Sequence, residues 1–426
     1  MSWALPAVAL IVLAVAAVSE RLRGTPVTAQ MLFLAAGVLV GGSLFDVVGG
    51  HSVYESTKTF AEATLALVLF NDASRVNLHE LRSELGLPAR LLGIGLPLTI
   101  AFGALVASVL FGFLKPAEAA VLGVLLAPTD AALGQAVVED ERVPVSIRQG
   151  LNVESGLNDG ICVPVLFVFL AAADAEVHAL SAHEAVTLAA EEIGFGILAG
   201  IAAGVLTALV MRYAQRHKLI AESWRQAVPV AGAALAYGAA AALGGSGFIA
   251  AFAAGATFGR GMRGRSESSE RFSEEFGALL GGVTFILLGA VLLGPQLHAV
   301  TWQMLVYAVL SLTVVRMVPV ALALIGTHSR SPSIAFVGWF GPRGLASIVF
   351  ALIVVGESHI PAAHTIALTA YVTIALSTFA HGLTAAPLVG RYARWLAGHR
   401  GELDGIEVAS ASEVRLKGPA ALLRSS

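Results

Sequence analysis

The feature that most constrains this chain is a succession of apolar segments separated by short polar loops. A helix that crosses a lipid bilayer needs roughly 20 apolar residues, and fewer when it is tilted or buried among neighbours. On that basis we count about 13 candidate spans. They cover residues 4–19, 28–45, 59–73, 90–113, 118–138, 149–172, 191–213, 225–243, 246–260, 274–294, 301–325, 334–356 and 364–390. The chain is therefore predicted to be an all-α polytopic membrane protein.

The loops between these segments alternate in charge. Basic residues concentrate in every second loop, whereas the loop 173–191 holds acidic residues and no Lys or Arg. Under the positive-inside rule this predicts an odd number of spans, with the N-terminus outside and the C-terminus in the cytoplasm. Segments 225–243 and 246–260 are predicted as two helices, because one bent helix would put basic loops on both sides. The protein is expected in the cell (inner) membrane.

Composition excludes several classes of function. Only 13% of the residues are charged and the mean hydropathy is +0.80, whereas soluble domains carry about a quarter charged residues. Short loops leave no room for a catalytic domain, so the chain is not expected to be an enzyme. We expect one transmembrane domain over 1–397 and a short, loosely held cytoplasmic tail over 398–426. No nucleotide motif, nucleic-acid surface or cofactor site is predicted, and the single Cys162 excludes a disulfide within one chain.

Charged residues inside the apolar segments are the best guide to function. Counting along the predicted helices places Asp130, Asp159 and Arg343 near the bilayer midplane. Glu154 lies on the same segment as Asp159, and Arg316 lies in the eleventh segment, where we assign it no role. A carboxylate at that depth costs at least a few kcal/mol, so it needs a partner or a watery cavity.

Oxygen-bearing residues gather around these charges. Ser155, Asn158 and Asp159 are spaced i, i+3 and i+4, which places them on one helical face. Pro128 predicts a helix break beside Thr129, and such a break frees backbone carbonyls that transporters use to bind Na⁺. The pattern predicts a monovalent cation site near the middle of the membrane.

Three ordered motifs connect the chain with a known family. Taken together, they resemble the monovalent cation:proton antiporters, in particular the electroneutral Na⁺/H⁺ exchanger branch that includes NhaP-type proteins. The motifs are Asn152-Val153-Glu154-Ser155-Gly156-Leu157-Asn158-Asp159, Thr129-Asp130 and Gly341-Pro342-Arg343-Gly344.

The resemblance implies both a site and a fold. It implies that Asp159 binds Na⁺ and H⁺ in alternation, that Glu154 and Arg343 form a stabilising ion pair, and that further residues complete the cation site. Those further residues are Thr129, Ser155, Asn158 and Asp130. The implied fold has two inverted repeats with broken crossing helices. A mobile core bundle, including 90–172 and 301–390, moves against a scaffold that forms a homodimer.

The chain departs from the family pattern in two places. The third span reads Phe70-Asn71-Asp72-Ala73, so Asn71 occupies the position of a family Glu and Asp72 follows it. That shift turns the carboxylate by about 100° around the helix, which can carry it out of reach of the ion, so Asn71 and Asp72 are predicted only as accessory residues of the site. Ala131 replaces the usual proline after Thr-Asp. These departures leave open whether the cation is Na⁺, Li⁺ or K⁺.

A single carboxylate that holds either cation or proton is sufficient for exchange. Because an empty charged site is costly to move across the apolar barrier, we expect one cation to be exchanged for one proton. Two alternatives stay open. One is a proton-coupled organic-solute transporter of related fold, and the other is an intramembrane aspartyl protease with Asp130 and Asp159 as its dyad.

Overall fold

The computed structural model describes residues 4–22, 25–44, 50–75, 86–178, 182–262, 267–357, 359–399 and 405–407. Within these ranges the regular structure is helical and contains no strand. The helices are α1 (Ala4–Leu22), α2 (Ala29–Leu44), α3 (Gly50–Arg75), α4 (Gly86–Leu110), α5 (Pro116–Leu125), α6 (Gln135–Val138), α7 (Val145–His178), α8 (Ala182–Arg216), α9 (Ala227–Ala242), α10 (Gly247–Met262), α11 (Glu267–Leu287), α12 (Trp302–Leu312), α13 (Val314–Ala323), α14 (Ser331–Trp339), α15 (Leu345–Glu357) and α16 (Ala363–Gly398).

The predicted all-α membrane architecture is confirmed. Among the described residues, 7 helices are long and apolar enough to cross a membrane, and three more apolar helices are shorter. The predicted count of about 13 spans stays a prediction. The segment 225–262 is two helices, α9 and α10, because Gly244 has a φ of 77° and ends the first of them.

Two of the helical segments are broken near their middle. The first stops at Leu125, since Pro128 has no N–H and cannot continue an α-helix, and α6 begins only at Gln135. The second stops at Trp339 and resumes at Leu345. Its break contains Gly341 and Pro342, both of which disfavour helix.

The two broken segments cross each other at their breaks, and their chains run in opposite directions. The Asp130 N–H donates to the Pro342 carbonyl at 2.8 Å. Ser347, in the first turn of α15, donates to the carbonyl of Leu125, the last residue of α5, at 2.8 Å. Half-helices α5 and α15 therefore lie on the same side of the crossing and run antiparallel. The order α4, α5/α6, α7 recurs as α12/α13, α14/α15, α16, as expected for inverted repeats.

Apolar packing differs between the two sides of the bundle. The largest cluster contains Leu65 of α3, Phe248 of α10 and Phe350 of α15, so it joins α2, α3, α10 and α11 to the helices of the two repeats. Two further clusters stay separate, one within α4, α6, α7, α13, α14 and α16 and one within α3, α8, α9 and α10. On the side predicted to be cytoplasmic, no apolar cluster of described residues joins α4, α6, α7, α13, α14 and α16 to α3, α8, α9 and α10.

Three residues of the predicted tail pack against the bundle. Ile406 and Glu407 are buried, and Ser146 at the start of α7 donates to the Ile406 carbonyl. The Arg330 N–H donates to Glu407 Oε1 at 2.9 Å. Residues 405–407 are therefore not loosely held, because Ile406 joins the apolar cluster around α7 and α14. Residues 400–404 and 408–426 of the tail lie outside the described residues.

Candidate cation site

The first break supplies free carbonyls, and a buried arginine binds them. Arg343 Nη1 donates to the carbonyls of Ala127 at 3.0 Å and Pro128 at 3.3 Å. Arg343 is 0% exposed. Because the carbonyl end of a helix carries partial negative charge, the guanidinium stabilises the end of α5.

Asp130 binds the N-terminal end of α15, the half-helix that follows the second break. Its Oδ2 accepts from the N–H of Leu345, the first residue of α15, at 3.0 Å. Its Oδ1 accepts from the N–H groups of Ala132 at 2.8 Å and Leu133 at 3.3 Å. The carboxylate of Asp130 therefore acts as a helix cap. A Cβ on Gly344 would collide with it, so glycine there permits the close approach.

Thr129, Ser155 and Asn158 form one buried polar cluster. Asn158 Nδ2 donates to Thr129 Oγ1 at 2.8 Å, and Thr129 Oγ1 lies 2.9 Å from Ser155 Oγ. Asn158 Oδ1 is buried and has no hydrogen-bond partner among the described residues. The structure thus brings together three of the residues predicted to bind the cation. The amide oxygen of Asn158 has no partner among the described residues and is available to bind an ion.

Asp159 lies one residue after this cluster on α7. It is 8% exposed, and none of the described groups forms a hydrogen bond with its Oδ1. The carboxylates of Asp130 and Asp72 lie close enough to Asp159 to act on it, and both are negative. An acidic oxygen in apolar surroundings, beside further carboxylates, attracts a cation or a proton.

Asp72 of α3 approaches the same face of α7. A Cβ built on Gly156 would lie 3.7 Å from Asp72 Cβ, so the absence of a side chain there brings α3 close. The one-residue shift relative to the family Glu therefore does not turn Asp72 away from the region of Asp159. Asn71, the preceding residue, is 7% exposed and buried within the bundle.

The expected ion pair of Glu154 with Arg343 is wrong. Glu154 pairs with Arg316 of α13, whose two terminal nitrogens donate to its two oxygens at 2.5 and 2.8 Å. Both side chains are almost fully buried. Arg316 reaches Glu154 by passing Gly341, where a Cβ would stand 2.9 Å from the Arg316 Cζ atom. Arg343 is directed to the carbonyls of the first break instead.

Arg316 was missed as a site residue although the sequence carried a signal for it. Two arginines, Arg316 and Arg343, lie in apolar segments, and a buried charge needs a partner of its own. The depth of a residue in the membrane, counted along its helix, does not determine which arginine faces Glu154. The rotation of each helix and the space at Gly341 decide that.

Comparisons with known proteins identify the family of the chain. Residues 7–391 match the family model described as sodium/hydrogen exchanger, transmembrane. The chain belongs to the sodium/hydrogen exchanger family. It is similar to the K(+)/H(+) antiporter NhaP2 of Shewanella sp. (strain ANA-3), 27% identical over 352 residues that are 79% of this chain and 57% of the relative. The K(+)/H(+) antiporter NhaP of Alkalimonas amylolytica is 27% identical over 384 residues, 89% of this chain and 64% of the relative.

The chain thus spans less than two thirds of the length of these two relatives. Among solved structures, the sodium proton antiporter MjNhaP1 from Methanocaldococcus jannaschii at pH 8 aligns with a TM-score of 0.72 and 20% sequence identity. That alignment covers 90% of this chain and 100% of the other. The exchanger fold expected from the sequence is therefore confirmed. Membership of this family does not favour the organic-solute transporter or the intramembrane protease.

Proposed function

We propose that the chain exchanges a monovalent cation for a proton across the membrane, with Asp159 binding the two in competition. The observation that carries this proposal is the buried Asp159 carboxylate, which has an unpartnered oxygen beside the Thr129–Ser155–Asn158 cluster. A hard cation requires several oxygens. Ser155, Asn158 and Asp159 supply hydroxyl, amide and carboxylate oxygens within about one turn of α7, and Thr129 adds a hydroxyl from the first break. Asp72 is a further carboxylate that supports cation binding from α3.

Charge balance around the site supports exchange of one cation for one proton. Glu154 is neutralised by Arg316, and Asp130 and Arg343 bind opposite half-helix ends at the same crossing. Asp159 is then the carboxylate at the crossing whose negative charge is available to bind a transported ion. Moving the charged Asp159 carboxylate through apolar surroundings is unfavourable. The helices that carry it therefore reorient when either a cation or a proton neutralises it.

The packing supports a mechanism of alternating access. The core comprises α4 to α7 and α12 to α16, and the scaffold comprises α1 to α3 and α8 to α11. Their shared apolar cluster lies on the predicted outer side, and this conformation receives cations from the cytoplasm. The scaffold also forms the homodimer contact in this proposal, with the N-terminus outside and the C-terminus in the cytoplasm.

The cation is a monovalent ion whose identity the relatives leave open. Two relatives are named K(+)/H(+) antiporters, and a Saccharomyces cerevisiae protein named Na(+)/H(+) antiporter is 28% identical over 246 residues, 54% of this chain and 25% of that protein. We propose Na⁺, Li⁺ and K⁺ as the candidate substrates.

Reconstitution in liposomes tests this function. A pH gradient is imposed, Na⁺, Li⁺ or K⁺ is added, and the internal pH is followed for wild type, Asp159→Asn and Asp174→Asn. Asp174 is the matched control, since it lies on the same helix near the outer end and binds the His359 N–H. We expect cation addition to collapse the gradient in wild type and Asp174→Asn but not in Asp159→Asn, at a rate independent of membrane voltage. Folded wild-type protein that moves protons with none of the three cations would contradict the proposal.

A further inference from the structure

A buried histidine lies beside the second break, outside the set of residues that bind the cation. His381 of α16 is 1% exposed. Its Nε2 is 2.9 Å from the Trp339 carbonyl, and its ring is tilted by 32° against the Trp339 ring, with centroids 5.1 Å apart. Trp339 is the last residue of α14. The imidazole therefore contacts the end of the half-helix that enters the crossing.

Both ring nitrogens of His381 face hydrogen-bond acceptors. Nε2 faces the Trp339 carbonyl, which only accepts hydrogen bonds. Nδ1 is 2.9 Å from the Ser377 carbonyl and 3.1 Å from Ser377 Oγ. The imidazole therefore connects the end of α14 to the turn of α16 that begins at Ser377.

Ser377 extends the contact to the other end of the break. The Arg343 N–H donates to Ser377 Oγ at 2.8 Å. Ser377 and His381 are four residues apart on α16, so one helical turn presents both groups on one face. One turn of α16 thus binds Trp339, where the break begins, and Arg343, two residues before α15 begins.

From Arg343 the connection continues to the cation site. Its guanidinium binds the Ala127 and Pro128 carbonyls, immediately before Thr129. The backbone of the second break also binds Asp130. Any rotation of the second break relative to α16 therefore displaces the segment that carries Thr129 relative to Asp159.

We propose that His381, together with Ser377, is a positioning residue of the exchanger: it holds the second break against α16 and thereby sets the geometry of the cation site. This inference rests on the proposed function, because the geometry that it sets is that of the Asp159 site. His381 touches no transported ion in this scheme. Like Arg343 and Asp130, it holds the end of a half-helix at the crossing.

Transport kinetics of three variants test the inference. His381→Leu keeps an apolar side chain but removes both nitrogens, whereas His381→Gln retains an amide N–H that reaches a carbonyl. His364→Leu is the matched control, since His364 lies on the same helix and is exposed. We expect His381→Leu to raise the KM for the cation about tenfold, the effect of losing a hydrogen bond of ordinary strength. His381→Gln and His364→Leu are expected to stay close to wild type.

Hydrogen exchange supplies a readout that does not depend on transport. In His381→Leu we expect faster amide exchange in peptides covering 338–345 and 127–133, with unchanged exchange in the outer half of α16. An unaltered KM with unaltered exchange would overturn the inference, and so would faster exchange along the whole of α16 with a reduced kcat and a constant KM. If wild type exchanges no cation, the proposed function fails, while the hydrogen-exchange comparison still decides the role of His381.

Discussion

Because Glu154 pairs with Arg316 and not with Arg343, the two arginines differ in how strongly they couple to that acid. We expect Arg316→Leu to lower the free energy of unfolding substantially, since it leaves the Glu154 carboxylate buried without its partner. The two side chains are 2% and 1% exposed, so solvent screens the pair very little. Removing one member of such a pair costs about 3–5 kcal/mol.

A double-mutant cycle separates this loss from the general cost of changing a buried arginine. Combining Glu154→Leu with Arg316→Leu removes both charges, and replacement of a buried pair by apolar groups is often neutral. We therefore expect the double variant to recover most of the loss, with a coupling free energy of about 3 kcal/mol or more. Arg343→Leu is also destabilising, because Arg343 binds two carbonyls, but Glu154→Leu is not expected to compensate it.

The assay is denaturant unfolding of purified protein in detergent micelles, followed by circular dichroism for the wild type and all five variants of the two cycles. Both cycles share Glu154→Leu, so each serves as the control for the other. A coupling free energy for Glu154 with Arg343 that equals or exceeds that for Glu154 with Arg316 would refute the pairing described above.

Three further outcomes follow from the site and its surroundings. Gly344→Ala should abolish exchange or prevent folding, because its methyl group would occupy the position of the Asp130 carboxylate; transport by this variant at the wild-type rate would contradict the contact. Asp72→Asn should raise the KM for the cation by several-fold, roughly the cost of one lost charge near a buried ion, and an unaltered KM in liposomes would exclude Asp72 from the site. In the loop between α6 and α7, the Arg142 guanidinium holds the pKa of the Asp140 carboxyl below its usual value. The pair therefore stabilises the fold at neutral pH and the contribution is lost as pH falls through the pKa of the folded state, so Arg142→Ala should show a small stability deficit at pH 7 that disappears in acid.

Much of the fold follows from local properties of the sequence. Apolar length predicts the helices, and Pro128 predicts the first break because its effect on the backbone does not depend on distant residues. The i, i+3, i+4 spacing on α7 places Ser155, Asn158 and Asp159 on one face for the same reason. These parts of the site could be predicted without coordinates. The second break is expected only from the family resemblance, and the predicted span 334–356 runs through it although Gly341 and Pro342 both disfavour helix.

Pairing between helices could not be predicted in this way. Glu154, Arg316 and Arg343 lie at similar depth, and sequence spacing does not give the rotation of one helix against another. The close approach of α3 at Gly156 likewise depends on tertiary packing, so helix geometry alone leaves open whether Asp72 comes near Asp159. Ile406 is a lone apolar residue in a polar segment, and nothing in its local pattern distinguishes a docked side chain from an exposed one.

The docking of residues 405–407 limits how the protein can be engineered. Ile406 is held by Ser146 at the start of α7, and Glu407 binds the Arg330 N–H that precedes α14. A purification tag or fluorescent reporter joined at residue 399 would delete these contacts at the starts of α7 and α14, two helices that lead to the candidate cation site. A fusion joined after residue 407 retains them. Tagged proteins with these two junctions therefore differ in more than their label, and only the longer one preserves the described contacts.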